Sequence, residues 1–135
     1  VADGGSFTQT GLEAFKAAVA TFPDNVMRAQ QVVARRTGQA MQNDARRKLL
    51  AQLKTPTHAL ANAIEVREDF AHNLVEVISF PPIGQPTSVN IWNEYGTAKM
   101  PARPYMRPAA DAAQAQYARD LQAAVDSEMA KAFGE

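Results

Sequence analysis

No cysteine occurs among the 135 residues, so the chain has neither a disulfide framework nor a thiolate metal site. Net charge is absent too. Fourteen Lys and Arg residues balance 14 Asp and Glu, whereas a dedicated nucleic-acid module is usually strongly basic. No apolar run is long enough to cross a bilayer, so no membrane partner is expected. The opening VADGGSF lacks the charged start and apolar stretch of a signal peptide. It reads as a flexible polar lead over residues 1–9, and the protein is expected to be made and used inside a cell or to leave it by another route.

Catalytic constellations are equally scarce. His58 and His72 have no ligand-spaced partner. Ser6, Ser79, Ser88 and Ser127 stand outside any nucleophile elbow, and no glycine loop of the phosphate-binding kind is present. Glu68 and Asp69 are adjacent, so in a strand they point to opposite faces and cannot pair as acid and base. The expectation is a protein that is not an enzyme and uses no cofactor or metal.

What is present is a globular composition, 46% hydrophobic and 21% charged, of a size that fits one α+β domain over residues 10–135. Leu12, Phe15, Val19 and Phe22 recur three and four apart, which predicts a short amphipathic helix ended by Pro23. Asp24 or Asn25 then caps a second, longer helix. Its stripe runs Val26, Ala29, Val33, Thr37, Met41, Ala45, Leu49, Leu53. Gly38 weakens its middle by roughly 1 kcal/mol relative to alanine, which suits a bend or a close approach. The helix ends near Lys54, because Pro56 disfavours helix at Thr55. HALANAIEVRED and HNLVEVISF are rich in β-branched and bulky residues and predict two antiparallel strands joined at DFAH. PPIGQPTS is a loop by its prolines and glycine and a candidate contact loop. Val89, Trp92 and Tyr95 have the spacing of a short helical turn. ARPYM suits a third, edge strand. Pro108 then opens a final helix with the stripe Ala113, Tyr117, Leu121, Val125, Met129, Phe133, expected to pack on the sheet.

Charge is unevenly distributed. Arg28, Arg35, Arg36, Arg46, Arg47, Lys48 and Lys54 lie on the long helix with Asp44 as the main opposing group. They form either a solvated face or a surface for phosphate or an acidic partner. Glu65, Glu68, Asp69, Glu76 and Glu94 make an acidic middle opposed by Arg67. A basic helix and an acidic sheet attract each other either between copies, favouring a ring, or within one copy.

The most unusual segment is NEYGTAKMPARPYMRPA, residues 93–109. Its prolines restrict the backbone before folding. Its tyrosines, Tyr95 and Tyr105, are expected to bury large areas, and its arginines, Arg103 and Arg107, to make contacts. Gly96, Pro104 and Pro108 are expected to shape the backbone. Rigid, aromatic and arginine-bearing, it has the composition of an interface.

The same segment resembles the signature of the neck and tail-completion (head–tail joining) proteins of long-tailed double-stranded DNA phages, the Hong Kong 97-type tail component family. The matching residues are Glu94, Tyr95, Gly96, Thr97, Pro101, Ala102, Arg103, Pro104, Tyr105, Met106, Arg107, Pro108 and Ala109. Where that family has a threonine-glycine-x-leucine turn before the first strand, this chain has Thr57-His58-Ala59-Leu60, without the glycine. The resemblance implies a structural virion protein, assembled in the host cytoplasm, without catalytic activity or cofactor. It implies a six-fold ring, with twelve copies as the alternative, through which genomic DNA passes non-specifically. Its implied neighbours are a head-closure or adaptor ring and a tail-terminator or tail-tube protein. The subunit interface would then use Glu94, Tyr95, Gly96, Thr97, Pro101, Arg103, Pro104, Tyr105 and Arg107, together with PPIGQPTS. Arg28, Arg35, Arg36, Arg46, Arg47 and Lys48 would face the channel or a partner ring. A tail terminator is the alternative within the class, and a small nucleic-acid-binding regulator the alternative outside it.

Overall fold

A computed structural model of the chain describes residues 9–53, 58–82 and 89–134. Residues 1–8 of the polar lead, Lys54 and residues 55–57, and residues 83–88 of the PPIGQPTS loop lie outside the described residues. The architecture is α+β. It runs α1 (Gln9–Gln52), α2 (His58–Asn62), β1 (Ile64–Asp69), β2 (Leu74–Ser79), α3 (Val89–Tyr95) and α4 (Met106–Phe133).

The two helices expected on either side of Pro23 are one helix of 44 residues with the proline inside it. Proline fixes φ near the value a helix already uses. Its cost, about 3 kcal/mol, comes from the missing N–H and the clash with the carbonyl four residues back. The helix nevertheless runs through, and Leu12, Val19, Val26 and Val33 recur at constant spacing on either side of Pro23. A continuous helix keeps these residues on one face.

The chain divides into two compact units, Val1–Val33 with Arg119–Glu135, and Ala34–Ala118. In the first, Phe15 and Phe22 of α1 lie tilted against Phe133 of α4, with ring centroids 6.0 and 5.3 Å apart. Leu12, Phe15, Val19, Met129 and Phe133 nevertheless stay exposed.

The second unit holds the sheet and the main core. β1 and β2 pair antiparallel from Ile64↔Ser79 to Asp69↔Leu74, as the DFAH connection predicts. Asn73 takes the left-handed φ of 55° that closes the turn, a conformation asparagine tolerates better than most residues. HALAN is a helical turn instead of the start of a strand. Leu60, Ala61 and Ile64 all enter the core with Ala45, Leu49, Tyr105 and Ala109, and a helical turn brings the first two to the same side. The third strand at ARPYM does not form, and among the described residues the sheet has two strands. Pro101 and Pro104 bring no N–H to a ladder, and the Tyr105 N–H is taken by a side chain.

The final helix, expected on the sheet, packs against α1, since Ala109 shares the core with Ala45 and Leu49. It is α1 that covers the inner face of the hairpin, at Gly38. A Cβ there would sit 2.8 Å from Val75 Cγ1 and 3.4 Å from Val66 Cγ1. Close approach, not a bend, explains this glycine. The polar side of α1 secures the α2–β1 corner. Gln42 donates to the Ile64 carbonyl at 2.7 Å, and Arg46 to the Ala61 and Ile64 carbonyls at 2.9 and 3.0 Å.

Gly38→Val forces a branched side chain into Val75 and Val66. Overpacking of this kind costs about 1–3 kcal/mol, which outweighs any gain in helix propensity. Urea denaturation will show a lower midpoint for the variant, and an unchanged midpoint would contradict the close approach.

Candidate functional site

Residues 93–109 fold into a brace centred on one carboxylate. The Glu94 side chain leaves α3 and reaches the start of α4. Its Oε1 accepts from the N–H groups of Tyr105 and Met106 at 3.0 and 2.9 Å, and its Oε2 from that of Arg107 at 3.0 Å. These donors have no acceptor within the helix, and a negative charge is favoured at a helix N-terminus. Pro108, two residues into α4 instead of at its first position, brings no N–H of its own. Glu94 and Pro108 between them leave the helix start with no orphan donor.

The neighbouring residues fix this geometry. Asn93 is buried; its Nδ2 donates to the Val89 carbonyl at 2.9 Å, and its own carbonyl accepts the Arg103 N–H at 2.7 Å. Gly96 ends α3 with φ 78° and an N–H to the Trp92 carbonyl at 2.8 Å, the left-handed helix stop that glycine allows. A Cβ there would lie 2.7 Å from the Ala102 nitrogen, so the backbones at 96 and 102 can approach only without a side chain. Thr97 and Met100 then exchange backbone hydrogen bonds at 2.8 and 3.3 Å. The Pro104 carbonyl accepts from Gln52 of α1 at 3.1 Å.

Tyr105 is fully buried, and its phenol shares a 2.7 Å hydrogen bond with the Ser79 hydroxyl. Burial raises its pKa above the ordinary tyrosine value. The Ser79 hydrogen bond opposes that shift, and the negative charge of Glu94 adds to it.

The residues expected at an interface therefore separate into two groups. Glu94, Gly96 and Tyr105 work inward: Glu94 and Tyr105 through their side chains, Gly96 through its backbone. Tyr105 has no surface to offer a neighbour. Pro104 and Arg103 are half-buried, and Thr97, Pro101 and Arg107 are exposed. Tyr95, expected to bury a large area, is 67% exposed. It shares its face of α3 with Ile91 and Trp92, at 53% and 41%. Ile91 and Trp92 lie just ahead of the segment and were not among the expected site residues. Their signal is the three- and four-residue spacing to Tyr95, which puts all three on one helical face.

The basic residues of α1 are mostly engaged within the subunit. Arg28 bonds Asn25, Arg35 pairs with Glu68 at 2.7 Å and stacks over Phe70, and Arg46 holds backbone carbonyls. Arg47 and Lys48 share Asp44. Of the six residues expected to face a channel or partner, only Arg36 has no polar partner among the described residues. The attraction between basic helix and acidic sheet thus operates inside one copy, through Arg35 and Glu68.

Among the described residues no group of three or more His, Asp or Glu side chains is placed to hold a metal ion. His72 stands in the hairpin turn with Nδ1 2.7 Å from Asp69. A cleft of about 340 Å³ lies between α1, the hairpin and α4, lined chiefly by apolar groups such as Met41, Val75, Val77 and Ala113, with no carboxylate or histidine on its wall. No protein family, curated protein or solved structure matches the chain.

Glu94→Gln removes the charge and sets an amide N–H against one of the three donors. The expected loss is about 2 kcal/mol, read by thermal or urea denaturation; a neutral result would mean that solvent caps α4 equally well.

Tyr105→Phe has a pH signature. The folded state favours the neutral phenol, so this contribution is fully present below the ordinary tyrosine pKa near 10 and is lost as pH rises through the raised folded value. At neutral pH the variant loses the Ser79 hydrogen bond, about 1 kcal/mol. The gap between wild type and variant will narrow above about pH 10; a constant gap up to about pH 11 would contradict the burial argument.

Proposed function

We propose that the chain is a ring-forming structural protein of a tailed double-stranded DNA phage, placed at the head–tail junction, where it joins the connector to the tail tube around the DNA channel. The reading starts from the resemblance of residues 93–109 to neck and tail-completion proteins. One observation carries it furthest. The segment is held by its own internal hydrogen bonds, centred on Glu94, and presents a preformed surface that includes Tyr95, Thr97, Pro101 and Arg107. A surface fixed in advance loses little conformational entropy when a partner docks, which suits a protein whose work is contact.

The use of the α1 cations supports a passive role toward DNA. Arg35, Arg46, Arg47 and Lys48 are spent on the subunit's own groups, so α1 does not offer a free basic stripe. A channel needs DNA to slide, which is served by weak, non-specific charge and not by base readout. The same feature weighs against a nucleic-acid-binding regulator. A ring of six copies would match a six-fold tail tube, and twelve copies are the alternative. A tail terminator would occupy the neighbouring ring and use the same kind of surface.

Reconstruction of the particle tests the reading. Density for this chain is expected on the tail axis between connector and tube, in six or twelve copies. Density capping the tube itself would assign the terminator role, and density in the baseplate or the capsid shell would overturn both.

A further inference from the structure

We propose that the exposed face of α3, with the basic residues beside it, docks on the outer face of the β1–β2 hairpin of a second copy of this chain. The proposal rests on the ring reading for its setting and supplies the subunit contact that reading lacks.

The first surface is apolar and cationic. Ile91, Trp92 and Tyr95 form an exposed strip on one face of α3. Lys99, Arg103 and Arg107 belong to the backbone braced against that helix, through Asn93 and Glu94. Among the described residues their side chains meet no acidic partner, and Lys99 and Arg107 are exposed. The Glu94 carboxylate is turned onto the N–H groups of α4 and meets Arg107 through its backbone. The three side-chain cations are therefore without an ion-pair partner among the described residues, in a molecule whose net charge is zero.

The second surface carries the missing charge. Strand register puts Glu65, Arg67, Asp69, Leu74, Glu76 and Ile78 on the hairpin face opposite the one that α1 covers at Gly38. Three carboxylates there face one guanidinium, though Asp69 is also bonded to His72 at 2.7 Å, and Arg67 is drawn toward both Glu65, at 3.6 Å, and the Phe80 ring, at 4.8 Å. Glu76 is exposed and has no ion-pair partner among the described residues. Leu74 adds an exposed apolar group, at 43%. The two faces are complementary in charge, and both have an apolar part. Both remain exposed in one subunit, so they do not cover each other within it.

Contact between two different patches is head-to-tail, and such a contact closes into a ring when its rotation allows. Charge complementarity of this sort sets register and partner choice more than raw affinity.

The test uses two charge-reversed full chains. Lys99→Glu with Arg107→Glu makes both faces acidic, and Glu65→Lys with Glu76→Lys makes both basic. Lys99 and Arg107 contribute only backbone hydrogen bonds to the fold, Glu76 has no ion-pair partner among the described residues, and Glu65 meets Arg67 in an exposed pair at 3.6 Å that adds little to stability. In sedimentation at low salt, the wild type is expected to self-associate below about 1 mM, with each variant alone at least tenfold weaker. An equimolar mixture of the two variants is expected to associate again, and to weaken at least tenfold in about 0.5 M salt. Trp92 is the single tryptophan, and its emission will shift to the blue on association. If the double acidic variant melts early, Lys99→Glu alone leaves Arg107 beside the Glu94 cap and carries the same expectation at smaller amplitude. A mixture that stays monomeric up to about 1 mM, or association with Trp92 emission unchanged, overturns the contact. A neck ring seen in particles alongside a monomeric mixture would sink this contact and leave the ring reading standing. An associating mixture with no ring in particles would do the reverse.

Discussion

The carboxylate of Glu94 holds three backbone N–H groups at the start of α4, and much of the second unit follows from that placement. It fixes where α4 begins, and so where Tyr105 and Ala109 enter the core. With Tyr105 set, its phenol meets Ser79 at the end of β2, and the hairpin is tied to the helix start. With the chain turned at Gly96, the Pro104 carbonyl comes within reach of Gln52 on α1. A charged acceptor serving several donors in a partly buried place is worth more than any single surface ion pair. The long odd segment between α3 and α4 is thus an extended helix cap, supplied from outside the helix it serves.

Much of this was legible in the sequence, though not always in its correct role. The pairing of β1 with β2, the helical turn at α3 and the terminal helix all follow from local pattern. Gly96 reads as a residue that shapes the backbone, and it takes the left-handed φ of 78° that ends α3. Tyr105 and Tyr95 look alike in sequence and fall on opposite sides of the surface, since only the first meets Ser79 and the core. Glu94 reads as one more acid in an acidic middle, because its partners are backbone groups eleven to thirteen residues away. Proline at position 23 is a strong local stop signal. The helix runs through it all the same, and the seven-residue apolar spacing that continues across the break shows only when it is followed over more than one turn.

The balanced charge of the chain also takes on a different meaning once the side chains are placed. A zero net charge could describe neutral faces everywhere. Here it comprises internal pairs along α1, such as Arg35 with Glu68, and two unbalanced patches of opposite sign at the α3 segment and the outer hairpin face. On the long helix Arg35, Arg47 and Lys48 meet acids, while Arg28 and Arg46 bond neutral groups and Arg36 has no partner among the described residues. The short segments, with few charges, hold unpaired charge as well.

The contact of Phe15 and Phe22 with Phe133 joins the two ends of the described chain, and this has a consequence for the order of folding. The Glu94 cap links residues close in sequence and closes with little loss of chain entropy. The first unit depends instead on pairings of the greatest sequence separation the chain offers, which are slow to find. During synthesis the opening turns of α1 emerge long before α4 exists, with Leu12, Phe15 and Val19 lacking the helix they belong beside. The first unit can thus assemble only after α4 has been made, later than the hairpin it shares α1 with.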